Sequence, residues 1–178
     1  MKSLMKNKKA GLMDIIIWVV SAFLIVVILG FWIYLFAQLT GALTSIPTQA
    51  GAPNISDIAH DVIVPVNDAM RNFEWISFAM IFAMAIAIFV FNYYTHRNAA
   101  FFWLYILMVI MAVVISVPLS NTYESLLTDN VIGSTLTGLK ASSFVILYLP
   151  LWTTVIGIFG AIFLFIGIQR DKEGGVGL

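Results

Sequence analysis

Cysteine is absent from this chain, so it can form neither a disulfide nor a thiolate metal site, and its redox compartment leaves no mark on it. Histidine occurs only at His60 and His96. Both lie outside the long apolar runs, which removes the paired ring nitrogens of a haem or zinc site inside a bundle. Charge is scarce too: Asp, Glu, Lys and Arg make up 10% of the 178 residues, against 61% hydrophobic. That balance is far from a water-soluble domain. The runs contain no mid-membrane carboxylate or lysine, the residue type an ion-coupled transporter usually retains. A Gly-rich phosphate loop, a paired-histidine helix motif and a converging set of nucleophile, acid and base are all missing. The chain therefore reads as a non-enzyme with no catalytic residue, cofactor or metal. At a formal net charge of zero, no nucleic-acid partner is expected.

What is present is apolar length. Uncharged runs of 18 residues or more mark spanning helices, because a bilayer core needs roughly 20 residues at helical rise. Four such runs stand at about 15–37, 75–94, 100–117 and 143–168. None alternates polar and apolar residues as a barrel strand would. The fold class is therefore all-α, a polytopic protein with four transmembrane helices in one membrane domain over 1–178. Its outer connections, about 38–74 and 118–142, should hold amphipathic or short helices.

Basic residues give an orientation. Lys2, Lys6, Lys8 and Lys9 precede the first run, Arg97 sits between the second and third, and Arg170 and Lys172 follow the fourth. Only Arg71 and Lys140 fall in the other connections, with Asp57, Asp61, Asp68, Glu74, Glu124 and Asp129. The positive-inside rule then puts both termini in the cytoplasm or an equivalent interior. The first run is too long for the h-region of a cleaved signal peptide and reads as an uncleaved anchor. Asp14 at its start would complement the helix dipole. Aromatic residues near the run ends, such as Trp32, Trp75, Trp103 and Tyr94, fit headgroup depth.

Small residues mark candidate packing faces. Ala79, Ala83 and Ala87 repeat at spacings of four in the second run, and Thr153, Gly157 and Ala161 do so in the fourth, with Gly160 beside them. Such stripes let helix backbones approach closely. The second and fourth spans are thus expected to pack, with each other or with copies.

The outer connections carry more pattern. Asp57, Asp61 and Asp68 cluster on one side of a helix and Ile58, Val62, Val66, Ala69 and Phe73 on the other, giving an acidic amphipathic segment that faces a protein neighbour or simply solvent. Pro65 should kink it, and Pro150 should bend the fourth span. Asp57, His60 and Asp61 do not make a metal pattern. Asn54-Ile55-Ser56 fits a glycosylation acceptor. The short link at 95–99 implies a tight antiparallel hairpin of the second and third spans. Pro118 should close the third span, with Ser120 or Asn121 capping a short helix. Leu126, Leu127, Val131, Ile132, Leu136 and Leu139 make the next connection too apolar for water, so it should pack on the acidic segment or dip to the headgroups.

Two function classes fit. The first is a structural or assembly protein, a subunit of a larger membrane-embedded complex such as a virion membrane shell or a multisubunit membrane machine. Its partners would be the lipid bilayer and other membrane-protein subunits or copies of itself. The second is a small oligomeric channel or holin-like pore lined by Thr153, Thr154 and the Pro150 kink; the sparse polarity of the runs fits it less well.

Overall fold

A computed structural model of the chain describes residues 10–45, 59–94 and 99–174. Asn54, Asp57 and the side chain of His60 lie outside the described residues. Four long helices dominate: α1 (Ala10–Thr44), α2 (Val64–Tyr94), α3 (Ala99–Leu127) and α6 (Leu149–Gly174). Between α3 and α6 lie two short ones, α4 (Gly133–Gly138) and α5 (Lys140–Leu147), and a π-helical turn, Ala59–Ile63, runs straight into α2. Among the described residues there is no strand. In lipid the backbone must satisfy its own hydrogen bonds, and uncharged runs of this length do so as helices. The stretches long and apolar enough to cross a membrane are Met13–Leu43, Asn72–Tyr94, Ala100–Leu127 and Leu149–Arg170. The chain is a multi-pass membrane protein.

α1 packs along α2 and α3, and α6 packs along the same two. The order around the bundle is therefore α1, α2, α6, α3, with α2 and α3 on a diagonal. This corrects the hairpin expected from the short link at 95–99, which the helices narrow to 95–98. A link of four residues spans up to roughly 17 Å over its five steps, enough for the roughly 14 Å diagonal of a bundle whose neighbouring axes stand 8–10 Å apart. Short loops force spans to be antiparallel; they do not force them to touch. The centre is filled by Ile15, Trp18, Val19, Ala22 and Val26 of α1, Ile81, Ala85 and Ile88 of α2, Ala112 of α3 and Ile156 of α6.

One end of the bundle, here the terminal end, gathers the start of α1, the ends of α2 and α6 and the start of α3. Phe91 and Asp14 line one groove there, and the Phe102 and Phe165 rings are 6.2 Å apart. Arg170 Nη1 donates to Tyr93 Oη at 3.3 Å, and its guanidinium lies 4.9 Å from the Tyr93 ring centre and 5.9 Å from that of Tyr94, a cation–π arrangement. Asp14 is the fifth residue of α1, one turn further in than a helix-start position, because the helix begins at Ala10.

Three helix boundaries differ from the sequence reading. α3 runs through Pro118 to Leu127. Proline removes one backbone donor, and nearby hydroxyls keep the helix bonded locally: Thr122 Oγ1 donates to Pro118 O at 2.8 Å and Ser116 Oγ to Val113 O at 2.7 Å. Ser120 caps nothing; its Oγ donates to Leu147 O at 2.6 Å, fixing α5 to α3. The fourth run is not one helix, since α5 ends at Leu147, Tyr148 turns, and Pro150 is the second residue of α6. Pro65 likewise is the second residue of α2. A first helical turn tolerates proline, whose missing N–H would have no partner there.

From Val64 on, the lead-in and the second span are consequently one helix of 31 residues, about 46 Å at 1.5 Å per residue against a hydrocarbon core of about 30 Å. Its first turns overhang the opposite, distal end. There Val66, Asp68, Ala69 and Phe73 are exposed, as are Asp61 and Val62 on the π-helical turn before them. Ile63 and Val64 are half-buried where the π-helical turn lies against α1.

The second long connection folds inward instead of lying on the acidic segment. Asp129 Oδ1 accepts the Val131 amide at 2.7 Å and the Ile132 amide at 3.1 Å, which turns the chain. Leu136 and Leu139 are then buried in the bundle. Leu136 occupies the space left by Gly30 of α1, where a Cβ would collide with its side chain. α4 and α5 together plug the distal end.

Candidate functional site

The two stripes of small residues have opposite fates. In α6, Thr153 is fully buried with its Oγ1 donating to Leu149 O at 2.7 Å, and a Cβ on Gly157 would collide with Val109 of α3. Ala161 lines an apolar groove of about 390 Å³ with Phe102 and Val109 of α3. Gly160 and Gly167 turn towards α2. A Cβ on Gly160 would collide with the Tyr105 hydroxyl and stand 3.0 Å from Asn92 Nδ2; one on Gly167 would stand 2.7 Å from the Tyr93 carbonyl oxygen. Glycine thus brings α6 against α2 and α3 at once. Gly167 follows the Gly160 position by two helical turns, a signal the sequence reading did not use.

In α2 the stripe turns outward. Ala79 and Ala83 are exposed and Ala87 is half-buried, while Ser77, Ile81, Ala85, Ile88 and Asn92 face the core. The α2–α6 contact is made by rings instead: Phe82 meets Trp152 edge-on at 5.5 Å, and Phe89 stacks on Phe163 at 5.5 Å. Ala83 stands at the middle of Asn72–Tyr94, so this bare face lies at mid-membrane depth. The outward faces of the other spans are large and apolar: Leu24 and Ile28 in α1, Leu107, Ile110 and Val114 in α3, Ile158, Ile162 and Phe165 in α6. Among the described residues, α2 alone exposes alanines one turn apart.

Polar side chains tie the spans together, and the sequence pattern did not announce them. Trp18 Nε1 donates to Ile81 O at 2.8 Å, joining α1 to α2 in the core. Asn92, 1% exposed, donates its amide to Gly160 O at 3.3 Å. Tyr123 Oη and Ser143 Oγ are 2.7 Å apart, and Ser143 Oγ donates to Leu136 O at 2.9 Å. Glu74 of α2 reaches α5: its Oε1 accepts the Ala141 amide at 2.5 Å and the Ser142 amide at 3.4 Å. A carboxylate from another helix so caps the positive end of α5. Near a membrane boundary, where water is less available to those amides, such bonds count for more.

Of the acidic residues singled out, Asp61 is exposed on the π-helical turn and Asp68 is exposed on the overhang of α2, seven residues on, while Asp57 lies outside the described residues. Thr153 and Thr154 diverge: Thr153 is inside, while Thr154 is exposed with its Oγ1 on Pro150 O at 2.8 Å. Among the described residues no three His, Asp or Glu side chains gather as metal ligands would. Comparison with protein-family models, curated proteins and solved structures finds no match to this chain.

Proposed function

We propose that this membrane protein acts by association: it is a structural or assembly subunit of a larger membrane-embedded complex, and not an enzyme. The observation that carries the reading is the outward alanine face of α2. Lipid is as apolar as leucine, so a helix gains little by showing alanine to it, whereas a second helix packs more closely on Ala79 and Ala83 than on a branched face. The exposed Asp68 on the same helix and Asp61 on the π-helical turn before it add an acidic surface beyond the membrane, suited to a basic neighbour and screened by salt. The pore alternative has less support, because Thr153 and Thr154 point to different sides of α6 and share no lining.

Ala83→Leu tests the reading. Because Ala83 is exposed within the chain, the variant should melt within about 0.5 kcal/mol of the parent, as outward substitutions do, yet shift the assembly to smaller species. Ile86→Leu, also exposed, should leave the assembly size unchanged. Size-exclusion with light scattering in mild detergent reads both, and identical profiles for the two variants would remove the α2 face from the account.

The basic residues support an orientation with the terminal end in the cytoplasm. Cysteines introduced singly at Gly51, Asn98 and Ser134 should label accordingly: 51 and 134 from outside, 98 from inside. Labelling of 98 and 51 from one side contradicts it.

A further inference from the structure

At the distal end a cleft of about 630 Å³ opens between α2 and α5, with Trp75, Phe78 and Phe144 as its walls and Glu74, Gly138 and Lys140 at its rim. Its depth decides what can fill it. Glu74 and Trp75 are the third and fourth residues of the stretch Asn72–Tyr94, so the rim stands at headgroup level and the walls descend towards hydrocarbon. Trp75, 64% exposed, and Phe144, 52% exposed, form the open side. A pocket of this size, apolar but for a few placed polar groups, is built for an amphiphilic molecule. The amphiphiles present at that depth are lipids. At the rim the Glu74 carboxylate is already engaged by the Ala141 and Ser142 amides, while the exposed Lys140 has a flexible stem that carries its ammonium up to phosphate level.

We propose that this cleft binds one phospholipid, its phosphate held by Lys140 and an acyl chain lying between Trp75, Phe78 and Phe144. Gly138 keeps the cleft open. A Cβ there would meet nothing within 4 Å, so a larger side chain at this position narrows the cleft without displacing protein atoms.

Native mass spectrometry of the full chain in detergent tests the site, with phosphatidylglycerol, diacylglycerol of the same chains, and inorganic phosphate as probes. One phosphatidylglycerol should be retained, about tenfold more tightly than diacylglycerol, the worth of one charge-assisted hydrogen bond. Lys140→Gln should erase that difference and Lys140→Arg restore it, while Gly138→Leu should weaken both lipids at an unchanged melting temperature. The proposal is overturned if Lys140→Gln keeps the preference, if the Gly138 variant binds both lipids like the parent, or if diacylglycerol binds as tightly as phosphatidylglycerol. It is overturned equally if inorganic phosphate alone occupies the site and displaces the lipid, which would make it a phosphate site.

Discussion

Replacing Gly160 by leucine is expected to destabilise the bundle by about 3 kcal/mol, at the upper end of overpacking in a close-packed interior. The glycine is where three spans meet. A Cβ there collides with the Tyr105 hydroxyl of α3 and stands 3.0 Å from Asn92 Nδ2 of α2, and the Asn92 amide is bonded to the Gly160 carbonyl itself. Separating α6 from α2 breaks that bond and strands a buried amide, whose desolvation costs about 1–3 kcal/mol where no other partner is reached. No hydrophobic gain offsets the loss, because in the separated helices lipid would already surround the added leucine. Denaturation in detergent micelles should show a large fall for Gly160→Leu and almost none for Gly41→Leu, where a Cβ meets nothing within 4 Å. Equal stability of the two variants would mean that α6 does not approach α2 and α3 as described.

Leu136→Ala should be comparably severe, at about 2–5 kcal/mol for a large-to-small change at a fully buried site. Leu136 is 0% exposed. It fills the hollow over Gly30, and its carbonyl accepts the Ser143 hydroxyl, so the plug rests on it. Shortening the side chain leaves a cavity between α1 and α4 that rigid helices close poorly. Hydrogen exchange should accelerate first in residues 128–147, with α1 and α2 protected for longer. Uniform exchange across all helices, or no change, would detach the plug from the bundle in this account.

The fold class and the number of spans were legible because hydrophobic length is a property of single segments. The arrangement of the spans was not, for a reason visible in α1. Ile15, Val19, Val26 and Ile33 are among its buried positions and Ile17, Val20, Leu24 and Ile28 among its exposed ones, with β-branched and aliphatic residues on both sides. In water an apolar stripe marks the core face; in lipid both faces are apolar and the stripe disappears. Small and polar residues carry what direction remains. That signal placed Thr153 and Gly157 on α6's contact face, and it flagged Ala79 and Ala83 without saying whether their partner is inside the chain. Glu74 was legible only as one acid among six on its side, since the amides it caps lie 67 and 68 residues away. Pro118 read as a stop because proline ends helices in water; within a membrane the helix continues, its hydroxyls bonding the backbone nearby.

The central claim, that the outward face of α2 is covered by another protein helix, is tested most directly by a photo-crosslinking side chain at position 83 in native membranes. A control carries the same group at Ile110, which is 58% exposed on α3. The account predicts a discrete protein adduct from position 83, of a second copy or another subunit, and lipid adducts alone from position 110. Lipid adducts alone from both positions would contradict it.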